Sequence, residues 1–563
     1  MTIFGAARAQ TYDQVAPRPV ASSSPVPTLQ SPPPAPVAGD PSTVLIPQLR
    51  GLVFVPSRTA VRREGVSGTG VRIEGLDLLD DDAFRAAMRR YLDRPLTRGD
   101  LNELTRDVVL YCRQRNRPIV DVLVPEQDAN SGTIQVLVIE GRLGRVSVEG
   151  NQYFTAEQLT GAIRSQPGQV LENDRMLEDI IWINQNPFRQ VDLVFTRGAS
   201  TGETDIILRV KDRRPVRLYF GYDDSGNALT GFDRVQAGVN LGNLFHRDQV
   251  ANYQLTASPD FERMLAHSAS YSVPLPRWRH TLTVFGSFAE SRPQMPSDFD
   301  LKGATWQASA RYRIPLNKSR DVSHDVTIGV DFKRSNNDLA FGGYQVFAQS
   351  TDIVQFSASY GLSWSRPGRT LAVSATLVAS PGGLSGANRD RDFAATRSGA
   401  DAEYGYARLE AEHQAQLPLG LSWTIRATGQ FATANLLGSE QLGLGGSQGL
   451  RGYEEREGNG DNGFMVVNEL HLPAQRIAGR LLRNGVFDRL DTFGFVDYGW
   501  LANHDRLPGE IRRIEMASLG AGLRYAVGSN ISLRFDYGWQ LEESGVSDGR
   551  RSSRGHFSVN VSY

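Results

Sequence analysis

The sequence has a single cysteine, almost no net charge and no long apolar run. Cys112 has no partner for a disulfide within the chain, and its place on a predicted helix indicates a small buried hydrophobe, not a nucleophile. The 61 Lys+Arg and 62 Asp+Glu residues leave a net charge of −1, which excludes a strongly basic nucleic-acid-binding protein. A chain of 563 residues is too long for one compact core, so we expect several domains.

Membrane-spanning helices are excluded because no stretch of about 18 apolar residues exists. A membrane β-barrel is not excluded, since its strands alternate apolar and polar residues and its hydropathy stays average. Catalytic signatures are missing as well: there is no G-x-S-x-G motif, the eight histidines show no metal-ligand spacing, and the paired carboxylates fall in predicted turns. We therefore expect no enzyme, no metal and no cofactor, although enzymes built on membrane barrels keep catalysis formally possible.

Residues 1–50 differ from the rest of the chain in composition. Ala7-Arg8-Ala9 fits a secretory cleavage site, but the residues before it lack a basic start and a long apolar core. We interpret it as the remnant of a signal peptide, with a chance match as the alternative. Residues 10–50 contain ten prolines and a run of three serines, a composition that predicts a disordered or polyproline-II tether.

Residues 51–212 contain two copies of a strand–helix–helix–strand–strand pattern, which predicts two α+β domains at 51–143 and 144–212. We call these the first and second repeat units. The first is predicted to contain a strand at Val71–Ile73, a helix from Asp81, a helix after the capping-box-like Thr97–Asp100, and strands at Ile119–Val124 and Ile134–Ile139. The second is predicted to contain a strand at Val146–Val148, helices after Thr155 and Asn173, and strands at Val191–Phe195 and Thr204–Val210.

From residue 213 to the end, apolar and polar residues alternate with a period of two. In Trp306–Ile314, for example, one face is apolar and the other carries Gln307, Ser309, Arg311 and Arg313. The apolar faces are rich in Tyr and Trp near the strand ends, as membrane-interface girdles are. About 350 residues at about 22 per strand and turn predict roughly sixteen antiparallel strands in a membrane β-barrel, with a soluble sandwich as the alternative. The last alternating strand ends on Tyr563.

Two short segments carry the strongest functional signal. Leu450-Arg451-Gly452-Tyr453 follows a glycine-rich run that contains Gly445 and Gly446, and about forty residues downstream Asp497 stands within the sequence FGFVDYG. Glycines are needed where a backbone packs closely against a wall, and a guanidinium–carboxylate pair is geometrically specific. The alternative is a glycine-rich surface loop that happens to contain an arginine. The charged run 454–457 is interpreted as a solvated face of this loop.

These features together resemble the outer-membrane transporters of two-partner secretion, the TpsB family of ShlB/FhaC/HecB-like haemolysin secretion/activation proteins. The phrases that carry the resemblance are Pro125–Gln127, Val138–Leu143, Asn184–Arg189, Val216–Gly231 and Asn468–Pro473. The resemblance implies two POTRA domains in the periplasm and an outer-membrane β-barrel transporter domain at 213–563. It also implies export, without ATP, of a large secreted protein of the haemolysin or adhesin (TpsA) type.

The same resemblance assigns candidate site residues. In this family the arginine lies at the tip of a long loop folded back into the barrel and pairs with an aspartate on the inner wall, which implies a pair between Arg451 and Asp497. It also implies that the second strand of each POTRA domain lies at a sheet edge, where an extended client strand would pair. The edge residues concerned are Val120, Val122, Val124, Val191 and Leu193.

Further partners implied are outer-membrane lipids and, during biogenesis, the barrel-assembly machinery; no nucleic acid is expected. An insertase of the same superfamily, which shares the arginine loop, is the alternative function. One departure from the family concerns the N-terminal helix that plugs the pore in these transporters. Residues 10–50 are too rich in proline for a convincing helix, so the plug either lies around Val44–Phe54 or is absent.

Overall fold

The computed structural model describes residues 12–20, 39–228, 230–294, 299–316, 321–341, 344–477, 487–546 and 552–563. The described chain separates into two compact units. One contains residues 39–214, and the other contains residues 12–20, with helix α1 (Tyr12–Val15), together with Pro215–Tyr563. The predicted cleavage site at Ala7–Ala9 and much of the proline-rich stretch lie outside the described residues. No helix within the described ranges is both long and apolar enough to cross a bilayer.

The unit of residues 39–214 contains helices and strands in the two predicted repeats. Its helices are α2 (Asp82–Arg89), α3 (Arg98–Gln114), α4 (Ala156–Thr160) and α5 (Asn173–Ile183). Its strands are β1 (Val44–Ile46), β2 (Gly51–Val55), β3 (Gly70–Ile73), β4 (Leu96–Thr97), β5 (Val120–Leu123), β6 (Thr133–Glu140), β7 (Arg142–Glu149), β8 (Arg189–Arg197) and β9 (Glu203–Asp212).

In the first repeat unit, four strands form a sheet in the order β3-β2-β6-β5. Helix α3 begins where predicted, because Thr97 and Asp100 form a reciprocal capping box. The core packs helix side chains such as Phe84, Leu104 and Cys112 against the sheet, and Cys112 is fully buried as predicted. Burial also raises the pKa of the Cys112 thiol to about 12, which leaves it unreactive.

The beginning of this unit differs from the prediction. Val71–Ile73 is a strand, but it lies at the outer edge, and the strand that pairs parallel with β6 is β2. Val44–Phe54 therefore contains no plug helix: it contributes β1 and most of β2. All five residues of β2 are buried. A strand between two parallel neighbours is apolar on both faces and loses the alternation by which strands are recognised.

The second repeat unit has the simpler sheet order β7-β9-β8. Strand β7 pairs parallel with β9, and β8 pairs antiparallel with it, so the unit repeats the arrangement of β2, β6 and β5. Thr155 starts α4 with a capping box that includes Gln158. The closing strands β6 and β9 are thus central in their sheets, and the strands that precede them are at the edges.

Sixteen antiparallel strands form a closed barrel, as predicted. In sheet order they are β10 (Val216–Asp223), β11 (Arg234–Leu244), β12 (Gln249–Ala257), β13 (Met264–Leu275), β14 (His280–Ser291), β15 (Phe299–Pro315), β16 (Val322–Phe341), β17 (Tyr344–Arg366), β18 (Arg369–Pro381), β19 (Glu403–Gln416), β20 (Ser422–Ala432), β23 (Asn462–His471), β24 (Asp488–Ala502), β25 (Ile514–Val527), β26 (Ile531–Gln540) and β27 (Ser553–Ser562). Helix α6 (Asp390–Thr396) lies in the connection between β18 and β19.

The predicted faces of the barrel strands are also confirmed. Apolar side chains such as Trp306, Ile328, Phe356 and Phe535 are exposed on the outside of the barrel, as expected for the outer face of a membrane barrel. The inner face carries polar and charged side chains that pair with one another, for example Arg311 with Asp331 and Arg524 with Asp536. The longest strands are β16 and β17, with 20 and 23 residues.

The barrel closes where its first and last strands meet. Strand β27 pairs with β10 from Ser558 to Ser562, opposite Asp223 to Tyr219. Beyond the strand end, the backbones of Tyr563 and Leu218 exchange two further hydrogen bonds. The C-terminal strand predicted from alternation is therefore the strand that closes the ring.

The connection between β20 and β23 folds back into the barrel. Residues 433–461 join β20 to β23 and contain the short hairpin of β21 (Leu442–Leu444) and β22 (Gly458–Gly460). We call this segment the long loop. Because β20 is the eleventh strand of the barrel, the long loop starts at the end of the barrel opposite to the one where β10 begins.

Candidate functional site

The long loop packs against the inner wall of the barrel. Leu444, Leu450 and Tyr453 of the loop are fully buried against Leu501 of β24 and Met516 of β25. The glycines of β22 allow this approach: a Cβ on Gly460 would lie 2.8 Å from the Leu501 Cβ. The loop is therefore a packed element of the lumen and not the surface loop of the alternative interpretation.

Arg451 lies in the long loop and binds Asp497 on β24. Its Nε and Nη2 atoms donate to the two carboxylate oxygens of Asp497, each at 2.8 Å, and its backbone N–H donates to Oδ2 at 3.1 Å. Both side chains are almost completely shielded from solvent. The structure thus places the two residues of the predicted pair together, in the two-pronged geometry that suits a guanidinium and a carboxylate.

Two wall residues complete what we call the Arg451 site, which comprises Arg451, Asp497, Glu469 and Phe495. Glu469 on β23 accepts from Arg451 Nη1 at 2.5 Å, and the Phe495 ring lies under the guanidinium with its centroid 3.6 Å from Cζ. Glu469 was not among the predicted partners, because the residue that faces a loop across the lumen cannot be read from one strand. Tyr498, in the same motif, is partly exposed on the outer face with Val496.

Two residues that follow Arg451 fix the loop backbone. Gly452 has φ +94°, a conformation that residues with a side chain rarely adopt, and a Cβ there would meet the Gly538 backbone at 3.1 Å. Gln540 donates to the Gly452 carbonyl at 2.7 Å. The Tyr453 hydroxyl donates to the Ala517 carbonyl at 2.8 Å and accepts from the Ala517 N–H at 3.1 Å. The Leu450–Tyr453 motif is thus held by four wall strands, β23 to β26.

The glycines before the motif are required by the loop fold. Gly445 and Gly446 have φ of +99° and +102°. A Cβ on Gly445 would lie 2.2 Å from the Glu454 carbonyl oxygen, and one on Gly446 would lie 2.0 Å from the Glu455 carboxylate. Both positions therefore combine a left-handed backbone with a close approach, which favours glycine over any other residue.

The interpretation of 454–457 as a solvated face is wrong for Glu457, and residues 454–456 are half-buried. Glu457 is buried and accepts from Ser544 Oγ and from the Glu454 N–H. Glu455 accepts from the Ser447 N–H at 2.6 Å. These carboxylates satisfy backbone donors of the tight loop, so charge alone is a poor indicator of exposure inside a polar lumen.

The predicted edge strands lie at the ends of their sheets. In the described part of the chain, β5 has only β6 as a strand neighbour and β8 has only β9. The Gly141 N–H donates to the Ile119 carbonyl. Because hydrogen-bonding direction alternates along an antiparallel strand, the backbone groups of Val120, Val122 and Val124 point away from β6.

The edge at β8 is partly closed by a side chain that the sequence did not reveal. Asn184, at the end of α5, accepts from the Val191 N–H at 2.7 Å and donates to the Val191 carbonyl at 3.0 Å. Asn184 thus occupies the positions that a partner strand would use at Val191. By the same alternation the next outward position is Leu193.

Residues 12–20, which we call the N-terminal segment, bind the inner face of the barrel. Val15 packs against Met264 and Ala266. Arg18 pairs with Asp223 at 3.0 Å and its backbone N–H donates to the Tyr219 hydroxyl at 2.9 Å. The prediction of a disordered tether over residues 10–50 is therefore wrong for this segment. The sequence gives only a weak indication that this segment binds the barrel, namely a few residues able to make specific contacts before the main run of prolines.

Metal ligation finds no support in the described ranges, where no group of three or more His, Cys, Asp or Glu side chains is placed to hold an ion.

Comparison with known families identifies the barrel and the first repeat unit. Residues 202–525, more than half of the chain, match the family of haemolysin secretion/activation proteins ShlB/FhaC/HecB. The chain belongs to this family. Residues 67–141 match the ShlB-type POTRA domain. As in other haemolysin secretion/activation proteins, the barrel lies in the bacterial outer membrane and the POTRA domains lie in the periplasm. The long loop therefore starts at the extracellular end of the barrel.

Similar transporters share a low sequence identity with this chain, but the similarity extends over most of its length. The outer membrane transporter CdiB of Dickeya dadantii is 25% identical, over 81% of this chain and 80% of that protein. The hemolysin transporter protein ShlB of Serratia marcescens is 22% identical, over 71% of each chain. Among solved structures, CdiB from Escherichia coli has a TM-score of 0.72 at 18% identity, covering 94% of this chain and 93% of that one. CdiB from Acinetobacter baumannii has a TM-score of 0.61 at 18% identity, covering 98% and 95%.

Proposed function

We propose that this protein exports one large secreted protein of the haemolysin or adhesin (TpsA) type across the outer membrane, without ATP and without catalysing a reaction. The observation that carries the proposal is the long loop, held inside a closed barrel by the buried pair of Arg451 and Asp497. A loop fixed in this way leaves a polar lumen whose filling is controlled by specific contacts, and the same chain carries domains suited to bind an unfolded polypeptide.

Client capture is assigned to the edges of the POTRA domains. An extended segment of the client would pair with the outward backbone groups of Val120, Val122 and Val124 on the first domain. On the second domain the pairing would begin at Leu193, since Asn184 already occupies Val191. Main-chain pairing suits an unfolded client because it makes few demands on client sequence.

Passage is assigned to the barrel lumen. Its charged inner face stays hydrated, and an extended polypeptide finds hydrogen-bonding partners there. The long loop and the N-terminal segment both occupy the inner face and would have to rearrange for the client to pass. The outer face contacts outer-membrane lipids through its apolar side chains, and the C-terminal strand is the segment that the barrel-assembly machinery would engage during biogenesis.

Deleting the protein tests export against the insertase alternative. We expect one specific large protein to accumulate in the periplasm while the other barrels of the outer membrane keep their normal abundance, as measured by quantitative proteomics of periplasmic, membrane and secreted fractions. General depletion of other outer-membrane barrels would instead assign the protein to membrane-protein insertion.

A further inference from the structure

The long loop has a second buried attachment, eleven residues before Arg451. The Glu440 carboxylate is almost completely buried and accepts from Lys333 Nζ at 2.7 Å, from Gln355 Nε2 at 3.0 Å and from the Tyr406 hydroxyl at 3.0 Å. We call these four residues the Glu440 site. The three wall residues lie on β16, β17 and β19 and converge on one carboxylate.

On the barrel wall, Gln355 makes further hydrogen bonds besides the one to Glu440. Gln355 also donates to Asp331 at 3.1 Å and accepts from the Tyr404 hydroxyl at 2.7 Å, which fixes the orientation of its amide. Burial disfavours the ionised form of Glu440, but the charge of Lys333 and the hydrogen bonds outweigh it and lower the pKa of Glu440 to about 2. The carboxylate therefore stays ionised in neutral and mildly acidic solution.

The two attachments lie on different sectors of the wall and have opposite charge. In barrel order, the Glu440 site uses the seventh, eighth and tenth strands, whereas the Leu450–Tyr453 motif is held by the twelfth to the fifteenth of the sixteen strands. Together they stretch the loop across a large part of the lumen. They also differ in kind: Arg451 has a two-pronged pair and an aromatic ring beneath it, whereas Lys333 is a point charge on a flexible stem.

We propose that Lys333, Gln355 and Tyr406 form a second binding site for the long loop, that Glu440 occupies it in the closed pore, and that this attachment opens first. The loop would then stay bound through Arg451 while the sector of β16, β17 and β19 is freed for a passing chain. The Arg451 site makes more contacts and is more completely enclosed, so the single Lys333 pair is the weaker of the two. This inference deepens the proposed export function by naming residues that keep its pore closed.

Single-channel conductance of the purified full-length protein in planar bilayers tests the inference. We expect Lys333→Met and Glu440→Gln each to raise the conductance or the open fraction several-fold, and the exchanged pair Lys333→Glu with Glu440→Lys to restore the low wild-type value. Tyr406→Phe, which removes one neutral donor, should give a smaller increase. Heat-modifiable migration on a gel verifies that each barrel is folded, and a variant that fails this check is replaced by Tyr406→Phe.

A matched control uses the ion pair of Arg313 on β15 and Asp325 on β16, which lies on the inner wall further along these strands and is not part of the Glu440 site. Arg313→Met removes a charge from the lumen and should leave the conductance at the wild-type value. The inference is overturned if Lys333→Met and Glu440→Gln conduct like this control, or if the exchanged pair conducts like the single variants. Because conductance needs no partner protein, this result is independent of whether export itself is confirmed.

Discussion

Arg451 satisfies its guanidinium through three wall residues, and each contact depends on the others being in place. Asp497 accepts from Nε and Nη2 of Arg451, and Glu469 accepts from Nη1. The Phe495 ring packs against the flat face of the guanidinium. Removing the Arg451 side chain takes away the two side-chain hydrogen bonds that the buried Asp497 receives from it, and removing Asp497 leaves the buried guanidinium with Glu469 as its remaining carboxylate in this site. Either change costs more than the pair itself contributes, because a buried charge loses its main partner. The site therefore acts as a unit at the scale of single residues.

Arg451→Ala should abolish secretion while leaving the barrel in the membrane, because loop placement is lost and strand pairing is not. Asp497→Ala should resemble it, at a cost of about 3–5 kcal/mol in loop docking. The double variant should be little worse than either single variant, as expected for one shared interaction. Secretion assays and thermal unfolding supply the double-mutant cycle, and fully additive losses would show that the two residues act independently.

Gly452→Ala should destabilise the docked loop by about 1–3 kcal/mol, the cost of a left-handed backbone at a residue with a side chain, and the added Cβ would also press on Gly538. Gly438→Ala is the matched control, since a Cβ at Gly438 meets nothing within 4 Å. The measurement is the thermal unfolding midpoint of the purified barrel. Equal midpoints for the two variants would contradict the close contact.

At the scale of elements, the two POTRA sheets have the same design but unequal edges. Strand β5 ends its sheet with the backbone groups of Val120 and Val122 directed away from β6, whereas Asn184 closes the start of β8. Unpaired strand edges readily accept another strand, so we expect the first POTRA domain to provide the longer continuous edge for a client.

Val122→Pro should weaken client binding more than Val122→Thr, because proline removes an outward N–H whatever side chain it replaces. Pairing between β5 and β6 should survive, since the Val122 N–H points away from β6. Titration of residues 39–214 with the N-terminal part of the client gives the affinities, and circular dichroism verifies that both variants are folded. Equal affinities would move client recognition away from this edge.

Strand periodicity was enough to predict most strands of the barrel. The strands and residue partners that the sequence did not predict were missed for physical reasons. The barrel strands alternate because one face meets lipid and the other meets water, so they could be recognised one by one. Strand β2 could not, since it is buried on both faces between parallel neighbours. Partners such as Glu469, Asn184 and Glu440 were missed because they become neighbours only when the sheets close, and no local pattern encodes that closure.

At the scale of the whole molecule, the barrel depends on the seam between β10 and β27. Five residue pairs close the ring, and Val559 and Val561 place their side chains on the same outer face as Phe220 and Tyr222. Strand β27 therefore completes the hydrogen bonding of β10 and also contributes to the outer surface of the barrel.

Val559→Arg combined with Val561→Arg should impair stable insertion, because a charge on the lipid face is unfavourable, at a cost that falls from about 2–4 kcal/mol at the middle of the membrane to about 0–1 kcal/mol near its surfaces. Removal of Tyr563 should act in the same direction by deleting its two backbone bonds to Leu218. Ser558→Asp is the control, since it lies on the inner face opposite Arg534. Heat-modifiable migration reports the folded barrel, and an unchanged shift in the double variant would refute the face assignment.

The unequal strand lengths have a consequence for how the cell presents this protein to its surroundings. A strand needs about 9–11 residues to cross the membrane, yet β16 and β17 have 20 and 23. At about 3.3 Å per residue, β16 is some 66 Å long, and its surplus lies at the extracellular end. This hairpin is therefore a ridge standing above the bilayer, and antibodies, phages or proteases approaching an intact cell would meet it before they reach the mouth of the pore.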